Sequence, residues 1–242
     1  MNEDMEIYDE KQTLIEHLAE LRKRLIYSFI ALIALTLFSY RFSETIVRDM
    51  INKASTMEFV FIAPTELFMS YIRVAVIGGV VLALPIILFN IWLFIKPGLT
   101  VGERKTVLKS LFVGGILFIL GSLFGYLVVL PLTIDFFASF QIDGIRAMIS
   151  FKSYLSFATS FVLAFGTVFE VPILMTIVVK FGLISTETLK KNKKIAVLII
   201  FILAAILTPP DVVSQVLLAI PMILLFEIGI FFAKMVENKK TS

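Results

Sequence analysis

The chain has 242 residues, a hydrophobic fraction of 59%, only 17% charged residues and a mean hydropathy of +0.97. That much apolar surface exceeds what a soluble core of this length hides, so lipid is the expected solvent and soluble enzyme folds are set aside. A formal net charge of +3 fits anchoring at an anionic inner leaflet rather than nucleic-acid binding, and the absence of cysteine removes disulfide and thiolate chemistry.

A hydrocarbon core roughly 30 Å thick takes about 20 helical residues to cross, and backbone satisfaction in lipid favours helices over strands. The expected fold is therefore all-α: a single domain, 1–242, with six transmembrane helices near 25–42, 74–95, 110–134, 154–179, 195–207 and 212–233. At the start, Glu3, Asp4, Glu6, Asp9 and Glu10 precede the first apolar run and no small-residue cleavage site follows it, so neither a cleavable signal nor a transit peptide is expected. Residues 13–24 read as an interfacial helix, with Thr13 and Glu16 as a capping box and Leu14, Leu18, Leu21 and Leu25 as an apolar stripe.

Loop 43–73 is apolar in part, through Phe59 to Ile62 and Leu67-Phe68, and reads as an ordered cap on the outer face. Loop 135–153 is shorter and polar and is assigned no chemistry. Pro85, Pro131, Pro172 and Pro221 lie within or at the ends of four spans, so a bent, concave bundle is expected. Gly121 and Gly125 form a GxxxG on the third span, read as close packing inside the bundle rather than as a dimerisation face.

Six spans put both termini and loops 96–109 and 180–194 on one side, and those segments hold 16 of the 22 Lys and Arg residues. The positive-inside bias makes that side cytoplasmic. The last two spans are expected to be short. The fifth, with thirteen residues, rises only about 20 Å. Dropping it gives a five-span alternative with the tail outside and a weaker asymmetry, 13 against 9.

The turn after that short helix carries Thr208, Pro209, Pro210 and Asp211, with Gln215 one turn beyond. Glu170 on the fourth span lies roughly 14 Å from the inner end by the helical rise. Thr208, Asp211, Gln215 and Glu170 are expected to form one polar patch inside the membrane. A carboxylate at such depth costs about 3 kcal/mol, so Glu170 either faces protein or water, carries a proton, or serves a partner. Glu227 is nearer the cytoplasmic end and a weaker candidate.

On the basic face, Glu20 and Glu103 place carboxylates where the chain is otherwise cationic, and together they suit a guanidinium-rich ligand held bidentately. The alternative is ordinary surface pairing, Glu20 with Arg24 at i,i+4 and Glu103 with Lys105 or another neighbour. His17 is the only histidine and there is no cysteine, which argues against a metal site. No GxxxxGK[ST] is present, and the spans lack a Ser/Lys or paired-Asp arrangement, so catalysis and nucleotide hydrolysis are not expected.

Several ordered motifs carry a family resemblance: His17 to Leu25 (HLAELRKRL), Trp92 to Leu99 (WLFIKPGL) with Glu103-Arg104, Phe169-Glu170-Val171-Pro172, Leu207 to Asp211 (LTPPD), and the run Gln215 to Phe232. They resemble the TatC family of the twin-arginine protein translocase over nearly the whole chain. The resemblance implies a receptor in the bacterial cytoplasmic membrane, both termini inside. It would bind twin-arginine signal peptides of folded precursors and recruit TatA-type single-span subunits, with a TatB-type subunit as a further option, for transport driven by the proton gradient.

A homo-oligomer within a larger complex, contact with membrane lipid and no cofactor are implied as well. Position by position, Glu20, Glu103, Phe94 and Arg22 fall on the signal-peptide region, and Glu170, Gln215, Thr208 and Asp211 on the partner-binding patch. Lys96 departs from the small residue expected there and adds a cation to that field. The competing class is a proton-coupled secondary transporter of a small solute with Glu170 as the coupling group. Its usual signature, broken helices paired at matching depth in two repeats, is not visible in the proline positions.

Overall fold

No glycine or proline interrupts residues 14–40, and the backbone ladder runs unbroken through them as α1, Leu14–Tyr40. The expected interfacial helix and first span are thus one rod of 27 residues, about 40 Å long at 1.5 Å per residue. The computed structural model describes residues 14–55, 57–139, 148–207 and 212–241. Thr13, half of the expected capping box, lies outside them, as do Thr208 and Asp211.

After a bend of 64° the chain continues as α2, Ser43–Lys53. A short strand β1, Glu58–Val60, leads to α3, Glu66–Ile95, which keeps Pro85 inside its 30 residues. A 3-10 turn at Lys96–Gly98 precedes α4, Val101–Phe124. The third span continues through a π-helical turn, Gly125–Val129, into α5, Leu130–Ala138. Pro131 sits in the first turn of α5, where its missing N–H is tolerated.

Strand β2, Met148–Ser150, is followed by α6, Phe151–Val168, and α7, Val171–Lys180. The expected fourth span is therefore broken at Phe169 and Glu170, because Pro172 offers no N–H to the carbonyl one turn back. Helix α8, Thr186–Lys191, and the short α9, Lys193–Leu207, lead to α10, Val212–Thr241. The last helix is not short: its 30 residues run past the expected end at 233.

Four helical segments are long and apolar enough to cross a bilayer: Glu66–Gly98, Gly102–Ala138, Phe151–Lys180 and Val212–Asn238. The bent pair α1 and α2 makes a fifth, and the 15 residues of α9 form the sixth apolar helix. Large apolar side chains such as Phe29, Phe112, Ile206 and Phe231 stand exposed along these helices, as lipid-facing surface does.

At one end of the bundle the expected cap is ordered. Strands β1 and β2 pair in parallel, Glu58 opposite Met148 and Val60 opposite Ser150, so loop 135–153, assigned nothing from sequence, supplies a strand. Three-residue strands are too short to show alternation. Phe59 packs on Phe151 and Tyr154 at ring separations of 5.7 and 4.9 Å. The Tyr154 hydroxyl donates to the Met50 carbonyl at 2.7 Å, and the Tyr126 hydroxyl donates to Asp49 at 2.5 Å. Lys53 Nζ donates to the same Asp49 carboxylate at 2.6 Å, so the acid ties α2 to the third span.

Inside the bundle, small residues let backbones meet. A Cβ on Gly121 would lie 2.4 Å from the Phe165 carbonyl oxygen, and one on Gly125 2.9 Å from that of Phe161. The GxxxG therefore seats α4 and the π turn on α6, as its reading from sequence holds. A second core joins α6, α9 and α10 through Phe161, Phe165, Ile200, Leu218 and Phe226. Gly121→Leu should force these helices apart at a cost of about 1–3 kcal/mol. Thermal unfolding of the detergent-purified protein should show it as a drop of roughly 2–4 °C per kcal/mol, and an unchanged midpoint would contradict the packing described.

Candidate functional site

The segments richest in Lys and Arg converge at the end of the bundle opposite the cap. His17 on α1 stacks on Phe94 near the end of α3, with ring centroids 4.3 Å apart and planes 17° from parallel. Lys180 at the end of α7 donates to the Thr106 hydroxyl of α4 at 2.8 Å. Glu237 on α10 accepts from the Thr186 backbone N–H at 3.3 Å and from its hydroxyl, tying the last helix to the start of α8. The α1 start, loop 96–109, loop 180–194 and the α10 tail thus share one end.

Glu20 and Glu103 both stand at that end. Glu20 lies one turn beyond His17 and pairs with Arg24, whose Nε donates to its Oε1 at 2.7 Å. This is the i,i+4 pairing weighed from the sequence. Glu103 pairs with neither Lys105 nor Arg104. It closes the first turn of α4, where its Oε2 accepts from the Thr100 N–H at 2.9 Å and from the Thr100 hydroxyl at 2.8 Å.

Each carboxylate therefore has one oxygen committed locally and the other without a hydrogen bond among the described residues. Bidentate capture of a guanidinium by either one requires Arg24 or Thr100 to let go; single contacts do not. The neighbouring cations are directed elsewhere. Arg104 Nε donates to the Leu99 carbonyl at 3.0 Å, and Lys96 Nζ lies over the Trp92 ring, 5.3 Å from its centroid. Arg22 is exposed on the same stretch of α1.

Sequence reasoning treated His17 as a polar interfacial residue and did not foresee its stack on Phe94. A histidine three residues before an acid carries no signal that its ring meets another helix. Leu18 and Leu25 of the expected apolar stripe are exposed, so that face of α1 is not packed inside the chain.

Glu170 occupies the break between α6 and α7, half-buried, with its carboxylate against α4 at Gly114. A Cβ on Gly114 would fall 2.6 Å from Glu170 Oε2, so this glycine, not singled out from sequence, makes room for the acid. No hydrogen bond to the carboxylate occurs among the described residues. Gln215 is elsewhere: its Nε2 donates to the Phe201 carbonyl at 3.0 Å, bracing α10 on α9.

Pro172 meets α10 at Gly229, fourteen residues after Gln215. By the helical rise Glu170 and Gln215 are then at levels roughly 15–20 Å apart along α10. Of the patch expected from sequence, Glu170 and Gln215 are thus held at different levels along α10, while Thr208 and Asp211 are outside the described residues. Glu227 pairs with Lys193 at the start of α9.

Among known proteins, residues 16–221 match the family model TatC, described as Sec-independent protein translocase protein. The Sec-independent protein translocase protein TatC of Desulforapulum autotrophicum is 41% identical over 240 residues, covering 97% of this chain and 88% of that protein. That of Escherichia coli K12 is 37% identical, covering 96% and 92%. A crystal structure of a twin-arginine translocase receptor, TatC, superposes with a TM-score of 0.80 at 35% identity, covering 91% of this chain and 99% of that one. On a match of this extent, with the same fold and similarity along nearly the whole length, the chain belongs to the TatC family of Sec-independent protein translocase proteins.

Proposed function

We propose that this chain is the signal-peptide receptor of a twin-arginine translocase, oriented with both termini in the bacterial cytoplasm. The observation that carries the reading is the pair of acids on a basic surface, Glu20 and Glu103, each with an oxygen open to a donor. A signal peptide joins a diarginine head to an apolar stretch. The head suits these oxygens, and Phe94 with His17 offers an aromatic floor beside them. Arg22 is assigned to the rim of the same surface.

Each charge-assisted contact would contribute about 1.5–3 kcal/mol, or roughly ten- to a hundredfold in affinity. Lysine lacks the planar fork, so the surface favours Arg-Arg over Lys-Lys. The Glu103 cap adds a control, because glutamine at this helix position still accepts from the Thr100 N–H while removing the charge.

Glu103→Gln should keep the unfolding midpoint and lose affinity for a twin-arginine peptide. Glu103→Ala should lose both, and Glu20→Ala should lose affinity. Fluorescence anisotropy with labelled Arg-Arg and Lys-Lys peptides reads this directly. Equal affinity of the wild type for the two peptides rejects the receptor assignment, and a small-solute carrier would bind neither.

Glu170 and Gln215 are proposed as contacts for TatA-type single-span subunits, including a TatB-type one. A helix crossing the bilayer passes both depths, so their separation suits a rod-shaped partner better than a compact ligand. Thr208 and Asp211 are proposed as further contacts of the same partner. Glu170→Ala should leave peptide binding intact and reduce site-directed crosslinking to a TatA-type subunit. Undiminished crosslinking would remove Glu170 from the interface.

A further inference from the structure

On the other side of the α3–α4 hairpin lies an apolar slot of about 170 Å³, lined by Pro85, Phe89 and Trp92 of α3 and by Leu108, Phe112 and Gly115 of α4, among others. Glu103 is about 180° around α4 from Phe112, so this slot is not the receptor surface. Two lysines continue its two walls toward the end of the bundle. Lys96 lies over the Trp92 ring, 5.3 Å from its centroid. Lys105 is exposed and shares the helical stripe of Leu108, Phe112 and Ile116 by i,i+3 and i,i+4 steps.

Trp92 adds a third element. Its indole N–H is buried and has no hydrogen-bond acceptor among the described residues, an unmet donor one turn from Lys96, toward the end of the bundle where ester and phosphate oxygens are expected. An apolar slot, an unmet donor and two cations in sequence toward one end of the bundle match the order of groups along a phospholipid: acyl chain, ester, anionic headgroup. We propose that this groove holds one anionic phospholipid, its acyl chain between α3 and α4 and its phosphate between Lys96 and Lys105. The headgroup charge selects the occupant, since a zwitterionic lipid returns a cation to the same place.

The chain contains a single tryptophan, so Trp92 fluorescence reports this groove alone. The full-length protein is reconstituted in phosphatidylcholine containing a minor fraction of acyl-brominated phosphatidylglycerol or, in parallel, acyl-brominated phosphatidylcholine. The wild type should be quenched by the brominated anionic lipid at roughly tenfold lower mole fraction, given two nearby lysines. Lys96→Gln with Lys105→Gln should abolish that preference, while Lys190→Gln with Lys194→Gln, an equal change in net charge on α8 and α9, should keep it.

Equal quenching by the two lipids in the wild type, or a preference surviving in the Lys96/Lys105 variant, overturns the proposal. Relief of quenching on adding a twin-arginine peptide would assign the groove to the peptide and overturn it too. Failure of the receptor reading leaves these outcomes unaffected, because no residue of the acid pair enters them.

Discussion

In hydrocarbon, apolar side chains gain nothing by leaving their solvent for one another, so what holds these helices together is close fit. The tightest fits are made where one backbone is let in by a missing Cβ. Gly79 of α3 admits α1 at Thr36, Gly121 and Gly125 seat the third span on α6, and Gly229 of α10 admits α7 at Pro172. Everything functional hangs from these crossings. The first fixes α1 beside α3, which brings His17 onto Phe94. The last sets the depth of Glu170 relative to α10.

Much of this was legible from sequence because it depends on composition and punctuation. Apolar runs gave the helices, prolines gave the sites of interruption at Pro131 and Pro172, and the distribution of Lys and Arg grouped four segments that do meet at one end of the bundle. What escaped depends on approach between distant residues. Nothing local marks Thr100 rather than Lys105 as the partner of Glu103, although a Thr followed three residues later by Glu is a recognisable helix start. The parallel pairing of two three-residue strands across ninety positions, and the room Gly114 leaves for Glu170, have no local signal at all. Glu170 and Gln215, expected in one patch, stand at different levels for a related reason: α10 meets α7 a long way past Gln215.

The acid pair illustrates how one residue serves two ends. Each carboxylate is held by a local bond, to Arg24 in one case and to Thr100 in the other, and each retains an oxygen without a hydrogen bond among the described residues. Fixing a ligand-facing group in advance lowers the ordering cost of association. Under the proposed receptor role, Arg24 competes with an incoming guanidinium for Glu20, which favours a ligand whose fork fits over one that is merely cationic.

The interruption at Phe169 and Glu170 has a consequence for the bilayer itself. A carbonyl deprived of its usual donor by Pro172, set beside an acid halfway through a span, is a small island of high polarity in an oily slab. One polar break lowers the local cost of bringing another polar group to the same level, so a polar side chain of a neighbouring helix is less penalised beside the fourth span than against its unbroken apolar turns.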